Sequence, residues 1–151
     1  MIVVVDTNVL GRLSEPGHAQ YKVAHDAIES LRRGGNVPCV VPQVLYEFWV
    51  VATRPVAQNG LGLNSIQAEG ELVRIESLLP LLPETASVYA EWRLLVIAHQ
   101  VTGKNAHVAR IVALMMVHGI SRILTFNTRD FARYPGITAI DPATVALPST
   151  P

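Results

Sequence analysis

The chain begins with an apolar run that ends directly on a carboxylate. Met1 to Val5 is β-branched from its second residue, which predicts a strand buried on both faces of a parallel sheet, and Asp6 follows at once. A second run, Arg122 to Phe126, leads into the polar segment 127–130 in the same way. The carboxyl ends of parallel strands share one edge of the sheet, where ligands bind in open α/β folds. We therefore predict acidic side chains gathered at one sheet edge.

Strands and helices alternate along the chain. Hydrophobic periodicity and turn residues predict further strands at 37–41 and 137–140, and helices at 8–13, 18–33, 42–53, 64–79, 85–101 and 105–118. Pro38 predicts either that its strand lies at an edge of the sheet or that the strand begins at this residue. Pro42 suits the first turn of a helix. The alternation predicts the α/β class, as a three-layer α/β/α sandwich with a mostly parallel sheet of four or five strands.

Size and composition fit one packed domain. The chain has 151 residues, half of them hydrophobic, and we predict a single domain at 1–145 followed by a frayed tail at 146–151. Cys39 is the only cysteine, so no internal disulfide can form, which suits the cytoplasm; it should be an inert core thiol. No apolar run is long enough for a membrane span, so no membrane partner is expected. The formal net charge is zero, so nucleic-acid binding would need a local basic patch.

Three acidic residues fall near the end of a predicted strand or early in the next helix: Asp6, Glu47 and Asp130, with Asn127 as a neutral companion. Gathered carboxylates are the ligands that a hard cation such as Mg²⁺ prefers. Each residue also has an ordinary structural interpretation. Asp6 and the segment 127–130 can cap helices or turns, and Glu47 can lie half-exposed beside an apolar helix face. Their shared position strengthens the functional interpretation beyond that of any single member.

Other kinds of site fit the sequence less well. It has no glycine-rich phosphate loop, no Cys-x-x-Cys and no His-Glu-x-x-His, and its five histidines are scattered. An unrelated doubly wound domain with a phospho-acceptor or dehalogenase-like Asp6 is a distant alternative. Asn8 stands where such a site would carry its second acid.

The segments 3–10 and 119–131 resemble the PIN-domain family, and within it the VapC-type toxins of toxin–antitoxin pairs. Segment 42–48 matches the part that carries the family's helical glutamate. The resemblance implies an endoribonuclease that depends on Mg²⁺ or Mn²⁺ and cuts RNA with metal-activated water. It also implies a cognate antitoxin as partner and a homodimer.

The resemblance also implies roles for the candidate site residues. Asp6 and Glu47 match the first two acids of the family's site, Asn127 falls at the fourth, more variable polar position, and Asp130 follows in the same turn. We therefore predict all four as catalytic residues. Asp6, Glu47 and Asp130 are the predicted metal ligands.

One position departs from the family pattern. Relatives usually read Gly-Lys-x-x-His-Asp-Ala where this chain reads Gly103 to Ala109 as Gly-Lys-Asn-Ala-His-Val-Ala, so Val108 replaces the central metal-binding aspartate. Two carboxylates with water could still hold one Mg²⁺, but a two-metal site becomes hard to build. We expect a weakened ribonuclease. The alternative is a catalytically inactive PIN scaffold that binds antitoxin or RNA without cleaving.

Three residues of the predicted helix at 42–53 point away from its apolar face: Tyr46, Trp49 and Val50. Exposed aromatic side chains of this kind suggest an antitoxin groove or a homodimer face. The alternative is that another helix, at 64–79, covers them.

Overall fold

The computed structural model describes residues 1–145; the tail predicted to be frayed lies outside the described residues. This part of the chain contains four strands, β1 to β4, at Ile2–Val5, Val37–Cys39, Arg122–Leu124 and Thr138–Ile140. Seven α-helices, α1 to α7, lie at Thr7–Leu13, Tyr21–Arg33, Pro42–Thr53, Ser65–Leu78, Ser87–Ala98, Asn105–Val117 and Pro142–Val145. Short 3-10 helices lie at Val56–Gln58 and Thr128–Phe131.

The strands form one parallel sheet in the order β2-β1-β3-β4, which confirms the predicted α/β/α architecture with four strands. Side chains alternate between the two faces of a strand, and Val3, Val4 and Val5 are all fully buried, so helices cover both faces of β1. β2 lies at an edge, as Pro38 predicts. A single bridge from Val40 to Leu81 covers the continuation of this edge.

The helices begin and end close to their predicted positions where the sequence supplies a clear signal. Pro42 occupies the first turn of α3, and Asn64 caps α4 by accepting from the backbone N–H of Gln67 at 2.8 Å. The prediction for α2 was wrong by three residues at its start. The backbone N–H of Gln20 donates to Nδ1 of His18 at 3.0 Å, which forms a turn there in place of helix.

Two further differences concern the ends of β3 and α5. The prediction extended β3 to Phe126, but the strand ends at Leu124, because the Phe126 backbone N–H donates to Oδ1 of Asn8 at 3.0 Å. α5 ends at Ala98, and Gln100 then takes a left-handed φ of 52°. The sequence pattern also missed the last helix, α7. Within residues 1–145, no helix combines the length and apolar character needed to cross a bilayer.

The core is one cluster in which the sheet packs against the inner faces of the helices. Cys39 belongs to it with 1% exposure, and burial raises the pKa of its thiol to about 12. A thiol with so high a pKa carries almost no thiolate at neutral pH, so the structure agrees with the predicted inert core residue.

Candidate active site

Asp6 lies at the junction of β1 and α1, at the carboxyl edge of the sheet. Its backbone N–H donates to the carbonyl of Leu124 at 3.0 Å, which aligns the ends of β1 and β3. Its side chain caps α1 by accepting from the Thr7 backbone N–H at 2.8 Å. The interpretation of Asp6 as a helix cap is therefore correct, but the capping hydrogen bond uses only Oδ1. The second oxygen, Oδ2, faces the neighbouring strand.

A hydrogen-bond network joins Asp6 to the turn after β3. The buried hydroxyl of Thr125 donates to Oδ2 of Asp6 at 2.8 Å and accepts from the backbone N–H of Asn127 at 3.0 Å. Asn8 donates from Nδ2 to Oγ1 of Thr125 at 3.1 Å, and its Oδ1 accepts from the Phe126 backbone. The two strand ends that carry the predicted site residues are thus held together by side chains.

Glu47 is half-buried on α3, and both of its oxygens accept hydrogen bonds. Thr7 Oγ1 donates to Oε2 at 2.9 Å, and Gln43 Nε2 donates to Oε1 at 2.7 Å. Gln43 is itself buried, and its Oε1 accepts from Arg110 on α6. Arg110 also pairs with Glu84, so a chain of polar contacts runs from the surface to the Glu47 carboxylate.

The pKa of Asp6 is raised from 3.8 to about 6, chiefly because burial disfavours the charged carboxylate. The hydrogen bonds from Thr125 and Thr7 favour the charged form and oppose this rise. The negative charges of Glu47 and Asp130 add to it, so both carboxylates are close enough to Asp6 to repel its charge. No basic side chain is among the described groups that lower this pKa.

All four predicted site residues line one cavity of about 310 Å³, which we call the inner lobe: Asp6, Glu47, Asn127 and Asp130. A larger opening of about 760 Å³, the outer lobe, shares three of them and lacks Asp6. Lys104, Asn105 and His107 line the outer lobe only. The structure thus brings these four residues to one cavity, and their roles as catalytic residues and metal ligands stay predictions.

The polar side chains at the rim of the inner lobe are less constrained than Asp6. Asn127 and Asp130 are exposed at the start of the 3-10 helix, and the Asp130 backbone N–H donates to the carbonyl of Asn127 at 3.1 Å. The Asn127 side chain makes no capping hydrogen bond, so the structural interpretation of this residue as a cap was wrong. Both side chains remain available to a ligand.

Comparison with known families decides the classification of the chain. The family model of the PIN domain matches residues 3–137, which is most of the sequence. The chain belongs to the PIN-domain family. Comparison with curated protein sequences gives no match.

The fold of this PIN domain is also similar to that of solved toxin–antitoxin proteins. It aligns with VapBC2 from Rickettsia felis bound to a promoter DNA fragment, with a TM-score of 0.68, 17% identity, and coverage of 93% of this chain and 98% of the other. It also aligns with VapC20 from Mycobacterium tuberculosis, a toxin that cleaves the sarcin–ricin loop. The TM-score is 0.63 at 19% identity, and the alignment covers 89% of this chain and 95% of the other. A toxin–antitoxin complex from Klebsiella pneumoniae gives a TM-score of 0.63 at 18% identity, with coverage of 93% of this chain and 97% of the other.

Val108 limits the oxygen ligands that the two lobes could offer to a divalent cation. Its half-buried side chain lines both lobes, beside Glu47 and Asp130, and presents methyl groups where an oxygen ligand would be useful. In the described part of the chain, no three His, Cys, Asp or Glu side chains form a group able to surround a metal ion. The remaining donors still fit one Mg²⁺, which can be held by one or two carboxylates with water completing the shell.

Sequence reasoning missed the residues that orient the acids, namely Thr7, Thr125, Gln43 and Arg110. Thr125 had a usable signal, since a polar side chain at the end of a buried apolar strand needs a hydrogen-bond partner. Gln43 had a similar one, because it lies on the inner side of α3 one helical turn before Glu47. Arg110 had none, since its contact with Gln43 spans 67 positions in the sequence.

Proposed function

We propose that this chain is an RNA-cleaving hydrolase of the VapC type, the toxin of a toxin–antitoxin pair, with activity lowered by Val108. One observation carries the proposal: Asp6, Glu47, Asn127 and Asp130 line a single cavity although they lie on three separate parts of the chain. The similarity in fold to VapC20 and to the toxin–antitoxin complexes supports it.

The site supports hydrolysis through a divalent cation, Mg²⁺ or Mn²⁺. When bound, such an ion activates water and neutralises charge on the scissile phosphate. Asp6 and Glu47, with Asp130 at the rim, would hold it. Thr7 and Gln43 orient the Glu47 carboxylate from both sides, and Thr125 orients that of Asp6. Asn127 would bind substrate through its side-chain amide.

The residue at position 108 determines how strong this activity is. A valine removes one charged ligand from the site, and the loss of one electrostatic element of this kind typically costs roughly a hundredfold or more in rate. We therefore expect slow cleavage by the natural chain.

A second candidate function is a PIN scaffold that binds antitoxin or RNA without cleaving it. The absence of a three-ligand group among residues 1–145 favours it, since two carboxylates hold Mg²⁺ weakly. The protein would then bind the same partners through the same fold without hydrolysing RNA.

The proposed partners are RNA, a cognate antitoxin and a second copy of the chain in a cytoplasmic homodimer. Tyr46 and Val50 on α3 are 60% and 59% exposed, and they offer an apolar surface for protein contact. Trp49 was expected to join them, but it packs partly into the core, and it lines a groove with Leu72 and Glu76 of α4. The alternative that α4 covers this face is therefore correct in part.

An RNA-cleavage assay with Mg²⁺ or Mn²⁺ tests the proposal on the natural chain, Val108→Asp and Asp6→Asn. We expect slow, metal-dependent cleavage by the natural chain, an increase of roughly a hundredfold in Val108→Asp, and none in Asp6→Asn. Cleavage by Val108→Asp alone would favour the scaffold. No cleavage by any of the proteins would overturn the nuclease assignment.

A further inference from the structure

Two arginines line the inner lobe, and they differ in their partners. The Arg12 side chain has protein partners, since its Nη1 forms a salt bridge with Glu15 at 3.0 Å and its Nε donates to Gln20 at 2.9 Å. Arg54 forms no salt bridge with any residue of the described chain. The one hydrogen bond that its side chain makes there runs from Nη2 to the carbonyl of Asn59 at 3.3 Å, and its Nε is buried without a partner.

The loop after α3 fixes Arg54 at the wall of this lobe. The Gly62 backbone N–H donates to the Arg54 carbonyl at 2.9 Å, and that of Leu61 donates to the carbonyl of Val51 at 3.0 Å. A Cβ added at Gly60 would lie only 1.9 Å from the Arg54 carbonyl oxygen, so the loop closes in this way only with glycine there. The backbone of Arg54 is thus held in place before any ligand arrives.

Among the described residues, Arg54 forms no salt bridge with the acids of the same cavity. The nearby charges that act on Asp6 are those of Glu47 and Asp130, and no arginine is among them. A half-buried guanidinium without a counter-ion is costly, and an anion brought by a ligand would relieve that cost. The planar guanidinium matches the oxygens of a phosphate and can donate two hydrogen bonds to it.

We propose that Arg54 binds a backbone phosphate of the substrate RNA, adjacent in the strand to the phosphate held at the acids. The part of the inner lobe beside Arg54 is then a phosphate subsite that fixes the register of the strand relative to the cleavage position. The inference rests on the proposed function, because it assumes that RNA is the substrate. An RNA strand suits the arrangement since it carries a negative charge at every nucleotide.

Binding without cleavage separates this inference from the nuclease assignment. We would measure fluorescence anisotropy of a short fluorescein-labelled poly(U) strand in EDTA over a range of salt concentrations. Arg54→Gln removes the charge but keeps a donor for the Asn59 carbonyl, so the loop should persist. We expect affinity to fall roughly tenfold and the slope of log K against log salt to decrease in magnitude by about 0.7, the value for one lost phosphate contact on a single strand.

Two matched variants control for net charge and for structure. Arg33→Met loses the same charge from the exposed end of α2, which does not line either lobe, and should bind as the natural chain does. Arg54→Lys keeps the charge and should recover the salt slope. Unchanged affinity and slope in Arg54→Gln would overturn the inference while leaving the nuclease assignment to the cleavage assay. A natural chain that does not bind the strand would also overturn the inference, and the cleavage assay would still decide the nuclease assignment.

Discussion

The carboxyl group of Asp6 stores an unfavourable free energy in the metal-free protein. Its pKa rises from 3.8 to about 6 on folding, which corresponds to about 3 kcal/mol at neutral pH. A carboxyl group with a raised pKa stabilises the folded state below its unfolded pKa, and that contribution is lost as the pH rises through the folded value. The stability of the metal-free protein should therefore decrease between about pH 4 and pH 6 on account of this residue.

Asp6→Asn should stabilise the metal-free protein at pH 7. The amide cannot ionise and can still accept from the Thr7 backbone N–H, although it loses an acceptor that faces Thr125 and Asn8. We expect a gain in the free energy of unfolding of about 1–2 kcal/mol, measured by urea denaturation in EDTA.

The same denaturation series at pH 4 provides the control for Asp6→Asn. The difference between the two proteins should largely vanish there, because Asp6 is already protonated in the folded state. A difference that stays constant between pH 4 and pH 7 would show that burial of the charge is not its cause.

The site residues that could be predicted from the sequence are those whose position in the chain itself indicates a role. Asp6 follows a buried strand directly, and a carboxylate there is visible from the pattern alone. Glu47 needed the helical spacing and the family resemblance together. Thr125 and Gln43 were not found, because their roles depend on which side chains meet them after folding.

At the scale of elements, the contact between α3 and α6 supports the site. Arg110 on α6 can only donate, so the amide of Gln43 must turn its oxygen toward Arg110 and its Nε2 toward Glu47. Glu84, just before α5, holds Arg110 from the other side. Two helices and the loop before α5 thus set the orientation of one carboxylate.

Arg110→Met should lower activity without unfolding the protein. The amide of Gln43 becomes free to rotate, so Glu47 loses a fixed donor, and we expect roughly a tenfold loss in kcat/KM, measured in the Val108→Asp background where cleavage is fastest. Arg110→Lys keeps a donor and should recover part of the rate. Equal rates in all three proteins would show that Gln43 is held by other contacts.

Sequence reasoning located the elements better than it located their ends. Pro42 and Asn64 each impose a local start on a helix, so α3 and α4 were predicted closely. The start of α2 and the end of β3 are set by side chains that bond to the backbone, His18 in one case and Asn8 in the other. The first contact is local and the second joins residues 118 positions apart, and neither leaves a periodic signal in the sequence.

For the whole molecule, metal binding should appear as global stabilisation. A ligand that binds only the folded state raises its stability in proportion to the logarithm of ligand concentration. We expect the Tm of the natural chain to rise with millimolar Mg²⁺, because the ion relieves repulsion among Asp6, Glu47 and Asp130.

Two variants bracket the natural chain in this measurement. Val108→Asp should show a larger rise in Tm with Mg²⁺, since it adds a ligand, and Asp6→Asn a smaller one. Differential scanning calorimetry measures all three. The same rise in each protein would place the ion elsewhere on the molecule.

The strand order of the sheet has a consequence for how this protein is made. β1 contributes Asp6, and its partner β3, with the turn that carries Asn127 and Asp130, comes more than a hundred residues later. A growing chain on the ribosome therefore contains Asp6 and Glu47 well before the residues of β3 and its following turn have been synthesised. Translation thus sets the order in which the site is assembled, and under the proposed function a growing chain cannot cleave RNA before β3 has been made.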